Sequence, residues 1–275
     1  MHPTITEKRA AFRALHKQGC FVLPNPWDIG GARALEHAGF KALATTSAGY
    51  AWSAGRADGH VPRDMVLAHL RQIVNATTLP VNADFESGFG ADPSAVAESV
   101  RLAVETGVAG ISIEDSTGDP QHPLRTIEEA VQRVRAARAA IDDCGGDTLL
   151  VGRAENFLVG QPDLDDTLRR LQAYAEAGAD CLYAPGIRTP EQIRAVVAAA
   201  APKPVNVLIS PLSTTMSVRD VAALGVRRIS VGGSLARVAW GAFLRATQAI
   251  VEHGRFDAFA DAPTNADLNA LLGNS

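Results

Sequence analysis

Two carboxylates at the end of a predicted β-strand point to metal chemistry. Asp84 and Glu86 stand two residues apart, where a strand pattern at residues 80–84 runs into a turn containing Gly88 and Gly90. Residues two apart on a strand point to the same face, so both carboxylates can reach one hard cation. An acidic pair before a glycine turn is more often a solvated loop or a helix cap. The pair therefore needs support from elsewhere in the chain.

That support comes from two later segments in which an apolar strand pattern also ends in charged residues. Residues 111–115 end in Glu114 and Asp115, and residues 151–156 contain Arg153. Carboxylates on several strands and an arginine on another, facing a common centre, would bind a divalent cation together with an anionic, oxygen-rich ligand.

The elements that must position these residues form a repeating βα pattern. Eight strands are predicted, at residues 21–24, 42–46, 81–84, 110–114, 149–153, 181–184, 205–209 and 228–231. Amphipathic helical patterns separate them, and several begin at a capping residue and end at a glycine. Eight such units in 275 residues favour one parallel (β/α)8 barrel over an open doubly wound sheet. We predict a single domain over residues 1–275, with a leading helix at about 7–18 and a helical appendage at about 235–275.

In such a barrel, catalytic groups lie at the carboxyl ends of the strands and in the loops that follow. Most of the candidates fall there. They are Thr46, Ser47, Tyr50, Asp58, Asp84, Glu86, Glu114, Asp115, Arg153, Glu155, Asn156, Asn206 and Ser210.

Composition excludes several other classes of protein. The net charge of −4 and the pI near 6.0 leave no basic surface for nucleic acid or an anionic membrane. No apolar run is long enough to span a bilayer and no signal peptide is recognisable, so we expect a cytoplasmic protein. The three cysteines, Cys20, Cys144 and Cys181, form no C-x-x-C motif and are expected to be free thiols.

Four motifs, in this order on successive predicted strands, resemble the isocitrate lyase/phosphoenolpyruvate mutase superfamily. They lie at residues 46–49, 83–90, 112–115 and 152–156, and the resemblance spans about residues 21–233. It implies a modified barrel whose last helix is swapped between subunits of a homodimer or homotetramer. It also implies Mg²⁺ or Mn²⁺ holding a small 2-oxo acid substrate.

The resemblance also implies roles for single residues. Backbone amides of Ser47, Ala48 and Gly49 would bind the carboxylate of the oxo acid, with Ala48 standing where the superfamily usually has glycine. Tyr50 follows them and is expected to contact substrate. Asn206 is expected either to bind a distal carboxylate or only to satisfy neighbouring backbone groups.

The metal and the reacting atoms would be handled by a second group of residues. Asp84 would be the nearest metal carboxylate, with Glu86 and Glu114 acting directly or through bound waters. Arg153 would bind ligand oxygens and stabilise developing negative charge. Asp58 would activate a nucleophile or gate the substrate, although its Ala-Asp-Gly context is equally typical of a plain turn.

The chemistry implied is stabilisation of an enolate as a bond to C3 breaks. Residues 116–125 contain no cysteine, which argues against isocitrate or 2-methylisocitrate lyase activity. The same loop lacks the lysine and asparagine of the phosphonate enzymes. We therefore expect a Mg²⁺-dependent lyase or decarboxylase that cleaves a C–C bond in a small 2-oxo mono- or dicarboxylic acid.

Three alternatives stay open. One is P–C bond chemistry of the phosphonopyruvate hydrolase or phosphoenolpyruvate mutase type. Another is a non-catalytic protein that binds a 2-oxo acid. The third is a phosphate site at residues 231–234, in the loop where barrels often bind phosphate.

Overall fold

The computed structural model describes residues 3–210 and 216–273, and its centre is a sheet of eight parallel strands. The strands are β1 (Phe21–Leu23), β2 (Leu43–Ala44), β3 (Val81–Asp84), β4 (Gly110–Glu114), β5 (Leu149–Arg153), β6 (Cys181–Tyr183), β7 (Val205–Leu208) and β8 (Arg228–Ser230). β1 pairs with β8, and the order then runs back through the sheet to β2. The Ala44 N–H donates to the Pro24 carbonyl at 3.0 Å and links the two edges. The predicted (β/α)8 barrel is therefore confirmed as a nearly closed barrel.

Helices surround the strands. They are α1 (Ile5–Leu15), α2 (Ile29–His37), α3 (Ser47–Ser53), α4 (Arg63–Ala76), α5 (Pro93–Val104), α6 (Ile127–Asp143), α7 (Leu164–Glu176), α8 (Pro190–Ala200), α9 (Val218–Ala223), α10 (Ser234–His253) and α11 (Asn265–Leu272). A short 3₁₀ helix spans Asp257–Phe259. The side chains of Asp92, Thr126 and Thr189 cap α5, α6 and α8, as their positions in the sequence predict.

β2 is shorter than the sequence pattern predicts because its carboxyl end starts a helix. Thr46 takes an extended backbone conformation, and its hydroxyl accepts a hydrogen bond from the Gly49 N–H, which makes it the N-cap of α3. The turn directs the backbone of Ser47 towards the end of β3, where Asp84 lies. A capping residue thus fixes one wall of the site.

α1 closes the bottom of the barrel. Its Phe12 is fully buried and packs with Leu23 and Leu149. Lys8 donates from Nζ to the Thr77 and Val74 carbonyls at 2.6 and 3.0 Å, which ties α1 to the end of α4. The predicted leading helix therefore covers the end of the barrel opposite the strand carboxyl ends.

The C-terminal helices leave apolar surface uncovered. α10 has one buried residue, Ala236, whereas its Val238, Phe243, Leu244 and Val251 are more than half exposed. α11 contacts α2. Exchange of α10 between subunits stays a prediction, because the structure describes one copy of the chain. Across residues 3–210 and 216–273, no helix combines the length and apolarity needed to cross a bilayer.

Candidate active site

Arg153 is the centre of a charge cluster at the carboxyl ends of three neighbouring strands. Its Nη1 lies 3.1 Å from Asp84 Oδ1 and 3.1 Å from Glu114 Oε2, and its Nε lies 2.5 Å from Glu155 Oε1. The guanidinium stands 5.3 Å from the centre of the Tyr183 ring. Strand pairing explains the convergence, because β4 places Glu114 directly beside Arg153 of β5. The predicted grouping of Asp84, Glu114 and Arg153 is thus present.

Asp84 is held from three directions. Its Oδ1 accepts from Arg153, its Oδ2 accepts from the Ser47 N–H at 3.0 Å, and its own N–H donates to Thr45 Oγ1 at 2.9 Å. Each carboxylate oxygen keeps a lone pair for a further partner. Asp84 is therefore fixed in position and still able to ligate a cation.

Negative charge exceeds positive charge around this cluster. Burial raises the pKa of Glu114 and of Glu155. Burial, followed by the charges of Asp84 and Asp58, raises the pKa of Glu86 to about 7. Glu86 also has a φ of 48°, in the left-handed region that most residues avoid. Five carboxyl groups therefore lie around one guanidinium, and three of them contact it directly. A divalent cation would relieve this excess of negative charge.

The cluster opens into a cavity of about 180 Å³ within the barrel mouth. Six of the residues predicted for the site line it: Thr46, Ser47, Ala48, Asp58, Asp84 and Arg153. Asp58 lies exposed at the rim, yet crowding by protein atoms raises the pKa of its carboxyl, with the Asp84 charge acting in the same direction.

Three predicted binding residues lie outside the cavity wall: Gly49, Tyr50 and Asn206. The Tyr50 ring stacks on His69 with ring centres 3.8 Å apart, and its hydroxyl donates to the Met65 carbonyl at 3.3 Å. Tyr50 instead lines a separate space of about 10 Å³, beside Glu86. Asn206 is fully buried, and its side chain contacts Ser230. Their predicted contacts with substrate stay predictions.

The amides expected to bind the oxo-acid carboxylate are partly engaged. The Ser47 N–H donates to Asp84, and the Gly49 N–H donates to Thr46 at 3.3 Å. A ligand would have to share these donors. Gly49 is required by packing, since a Cβ there would lie 2.7 Å from Thr46 Cγ2 and 3.0 Å from Trp27 Cβ. Ala48 lines the cavity, so its methyl group occupies space near the expected carboxylate.

The neighbour of Glu114 belongs to a different cluster. Asp115 is 1% exposed and its Oδ2 accepts from Tyr174 Oη at 2.5 Å and Arg170 Nη1 at 3.0 Å. Its Oδ1 accepts from the Glu155 N–H at 2.9 Å. Asp115 therefore fixes the backbone of the β5 loop without facing the cavity.

Sequence reasoning missed the polar floor of the cavity. Asn82, Ser112, Arg228 and Ser230 line it from inside the barrel, although barrel interiors are usually filled by apolar side chains. The signal was available for Asn82, which stands two residues before Asp84 on the same strand face. For β8 the signal was ambiguous, because Arg227 and Arg228 are adjacent and only the strand register decides which one points inward.

The glycine turn after β8 also meets the cavity, but its amides have an internal acceptor. Asn25 Oδ1 accepts from the Val231 N–H at 3.0 Å and from the Gly232 N–H at 2.9 Å. A phosphate bound there would compete with Asn25 for both donors. At the phosphate site predicted as an alternative, two backbone N–H groups are therefore already used in internal hydrogen bonds.

The residues present fit a hard divalent cation. Among the described residues, no three His, Cys, Asp or Glu side chains converge closely enough to hold a metal by themselves. Mg²⁺ does not need such a cage, since it usually keeps several waters and takes one or two protein carboxylates. Asp84 with its free lone pairs, and the charge-crowded Glu86 and Glu114 behind it, suit that type of coordination.

A parallel barrel with an arginine and several acids at its carboxyl face defines an enzyme-type site, and comparison with known proteins identifies its family. The family model described as phosphoenolpyruvate phosphomutase matches residues 12–251. The chain belongs to this family, within the isocitrate lyase/phosphoenolpyruvate mutase superfamily, which confirms the resemblance of its motifs.

Three similar proteins illustrate the range of activities among its relatives. A Burkholderia cenocepacia J2315 protein with the provisional description lyase/mutase is 48% identical, with a TM-score of 0.95 and coverage of 98% of this chain and 97% of that one. The 2-methylisocitrate lyase of Escherichia coli K12 is 34% identical over 63% of this chain and 60% of its own. A structure of oxaloacetate acetylhydrolase with the product oxalate is 26% identical, with a TM-score of 0.88 over 98% of this chain and 95% of that one. Lyase-type chemistry thus recurs among the relatives.

Proposed function

We propose that this protein is a Mg²⁺-dependent carbon–carbon lyase or decarboxylase that acts on a small 2-oxo acid through an enolate. One observation carries the proposal: Arg153 faces the cavity while Asp84, Glu114 and Glu155 hold it in place. A preorganised cation at the point where negative charge develops lowers the barrier to enolate formation. Bound Mg²⁺ would supply Lewis-acid activation of the oxo-acid oxygens.

The residues of the chain have separate tasks in this proposal. Asp84 would hold the metal, with Glu86 and Glu114 acting directly or through bound waters. The amides of residues 47–49 orient the substrate carboxylate. Arg153 stabilises the negative charge that develops on the substrate oxygens when the C3 bond breaks. Glu155 and Glu114 fix the guanidinium so that it does not reorganise during the reaction.

Asp58 is the proposed group that handles the proton or gates the substrate. It lies at the rim of the cavity, contacts Ser47, and has a raised pKa. A carboxyl with a raised pKa keeps its proton to higher pH, which suits general acid or base work. We also propose that the protein is not an isocitrate or 2-methylisocitrate lyase, because the loop at residues 116–125 contains no cysteine.

The proposed assembly is a homodimer or homotetramer in which α10 is exchanged. The exposed Val238, Phe243 and Leu244 of this helix support it, because an uncovered apolar face of this kind is typical of a surface buried by a partner. Light scattering of the purified protein would test it, and a monomer at micromolar concentration would contradict it.

Steady-state assays with oxaloacetate, 2-oxoglutarate, pyruvate and phosphonopyruvate, with Mg²⁺ and with a chelator, test the function. We expect metal-dependent cleavage of a carboxylated 2-oxo acid. Turnover of phosphonopyruvate alone would favour the P–C alternative. Tight binding without turnover of any compound would favour the non-catalytic alternative.

A further inference from the structure

The floor of the cavity contains a buried cation. Arg228 is 2% exposed, and its guanidinium crosses the barrel interior from β8. Its Nε donates to Asn206 Oδ1 at 3.0 Å and its Nη1 donates to Asn82 Oδ1 at 3.2 Å. The charged group lies 5.9 Å from the centre of the Phe12 ring, which closes the barrel below it.

Neither of these hydrogen-bond partners carries a charge. Within residues 3–210 and 216–273, Arg228 forms no ion pair with a carboxylate, whereas Arg153 and Arg170, the other buried arginines named above, each contact at least two. Burying a cation without a counter-ion is costly, and most buried charges are paired. Arg228 is therefore the one cation lining the cavity, among the described residues, that lacks an anionic partner.

The surroundings of Arg228 are built to hold it. Asn206 donates from Nδ2 to Ser230 Oγ at 2.9 Å, and Asn82 donates from Nδ2 to the Ala83 carbonyl at 2.9 Å, so both amide oxygens are turned towards the guanidinium. Gly110 leaves the necessary room, because a Cβ there would lie 2.5 Å from Asn82 Oδ1 and 2.8 Å from the Phe12 ring. Such fixed orientation is typical of a prepared binding group.

The charge of the cavity is thus divided between its two ends. The mouth carries Asp58, Asp84 and Arg153, whose charge is already paired with carboxylates, and the floor carries Arg228. A ligand with a single carboxylate, bound at the mouth with a metal ion, would leave the floor cation unpaired. A ligand with a second carboxylate would pair it.

We propose that Arg228 is the counter-ion for the distal carboxylate of a dicarboxylic 2-oxo acid, and that Asn82 and Asn206 are the positioning residues that aim it. This inference rests on the proposed function and narrows its substrate class to dicarboxylates. It also revises the predicted role of Asn206, whose amide supports Arg228 and leaves the contact with the carboxylate to the arginine.

Calorimetry on the full chain with Mg²⁺ tests the proposal with two pairs of ligands matched in length. The pairs are oxaloacetate with 2-oxobutyrate, and 2-oxoglutarate with 2-oxopentanoate. We expect at least one dianion to bind about 10- to 100-fold more tightly than its monoanionic partner, as a charge-assisted hydrogen bond implies. Binding of both members with equal affinity in both pairs would overturn the role of Arg228 and leave the proposed function intact. Absence of binding by all four compounds would overturn the proposed function together with this inference.

Two variants sharpen the test. Arg228→Gln should remove the preference for the dianion while the affinity for the monoanion stays within about 3-fold, because only the distal contact is lost. Arg228→Lys should keep part of the preference for the dianion, because lysine retains the positive charge but lacks the planar guanidinium. Circular dichroism checks folding of both. If neither variant folds, the wild-type preference between matched ligands still decides the question.

Discussion

Glu114 and Asp115 are adjacent in the chain and belong to two clusters of opposite character. Glu114 faces Arg153 at the barrel mouth, where three carboxylates contact one guanidinium and two more lie nearby. Asp115 turns the other way, into a cluster where Asp166 pairs with Arg169 and Arg170. Tyr174 completes that cluster by donating to Asp115 at 2.5 Å.

The difference distinguishes structural charge from functional charge. In the Asp115 cluster, each carboxylate has guanidinium, hydroxyl or amide donors, so the group is satisfied without a ligand. The Arg153 cluster has more carboxyl groups than cations, and their pKa values are raised, so its acids either keep protons or need an added cation. At the end of β4, adjacent residues thus point to opposite sides, Glu114 towards Arg153 and Asp115 towards Arg170 and Tyr174.

Replacing the two arginines by lysine should give the largest contrast. Arg153→Lys removes the planar guanidinium that faces the cavity. We therefore expect kcat/KM to fall about 100- to 1000-fold with a small change in Tm. Arg170→Lys should lower Tm while kcat/KM changes far less, because Arg170 contacts Asp115 and Asp166 away from the cavity. Equal losses of activity in both variants would remove the distinction between the clusters.

Removing one hydroxyl tests the stability of the Asp115 cluster. Tyr174→Phe leaves a buried carboxylate short of a donor, so the free energy of unfolding should fall by about 1–3 kcal/mol. Tyr50→Phe is the matched control, because its hydroxyl makes a longer bond to a carbonyl, at 3.3 Å. Urea denaturation measures both. A larger loss in the Tyr50 variant would show that the Asp115 cluster does not support the fold.

The pH dependence of stability should reveal the excess charge at the mouth. The pKa of Glu86 is raised from 4.5 to about 7, so the folded state keeps a proton that the unfolded state has lost. In metal-free protein its contribution to stability is therefore present below about pH 4.5 and is lost as pH rises through 7. Thermal melts of wild type and Glu86→Gln between pH 5 and 8 should diverge, with the wild type losing more. Parallel curves would contradict the raised pKa.

The sequence predicted the barrel and most of the mouth because both follow from short-range patterns. The three strand segments Val81–Asp84, Gly110–Glu114 and Leu149–Arg153 end in charged residues that the βα pattern places at one rim. Parallel pairing then brings Glu114 beside Arg153, without further information.

Contacts between distant elements could not be predicted in the same way. The partners of Asp115 come from α7, at Arg170 and Tyr174, and nothing in the spacing of that helix marks them. The orientation of Arg228 depends on which of two adjacent arginines faces inward, which only the register of β8 settles. Tyr50 looked like a loop residue near the site, but it lies in α3 and stacks on His69 of α4.

Binding of a 2-oxo acid to the Asp84→Asn variant tests the central claim most directly. Calorimetry with and without Mg²⁺ would compare wild type, Asp84→Asn and the matched control Asp58→Asn, which lies at the rim of the same cavity. We expect metal-dependent affinity to fall by about 100-fold or more in Asp84→Asn, since the nearest proposed metal carboxylate is lost. Asp58→Asn should keep binding and lose turnover. Unchanged Mg²⁺-dependent affinity in Asp84→Asn would contradict the assignment of the site.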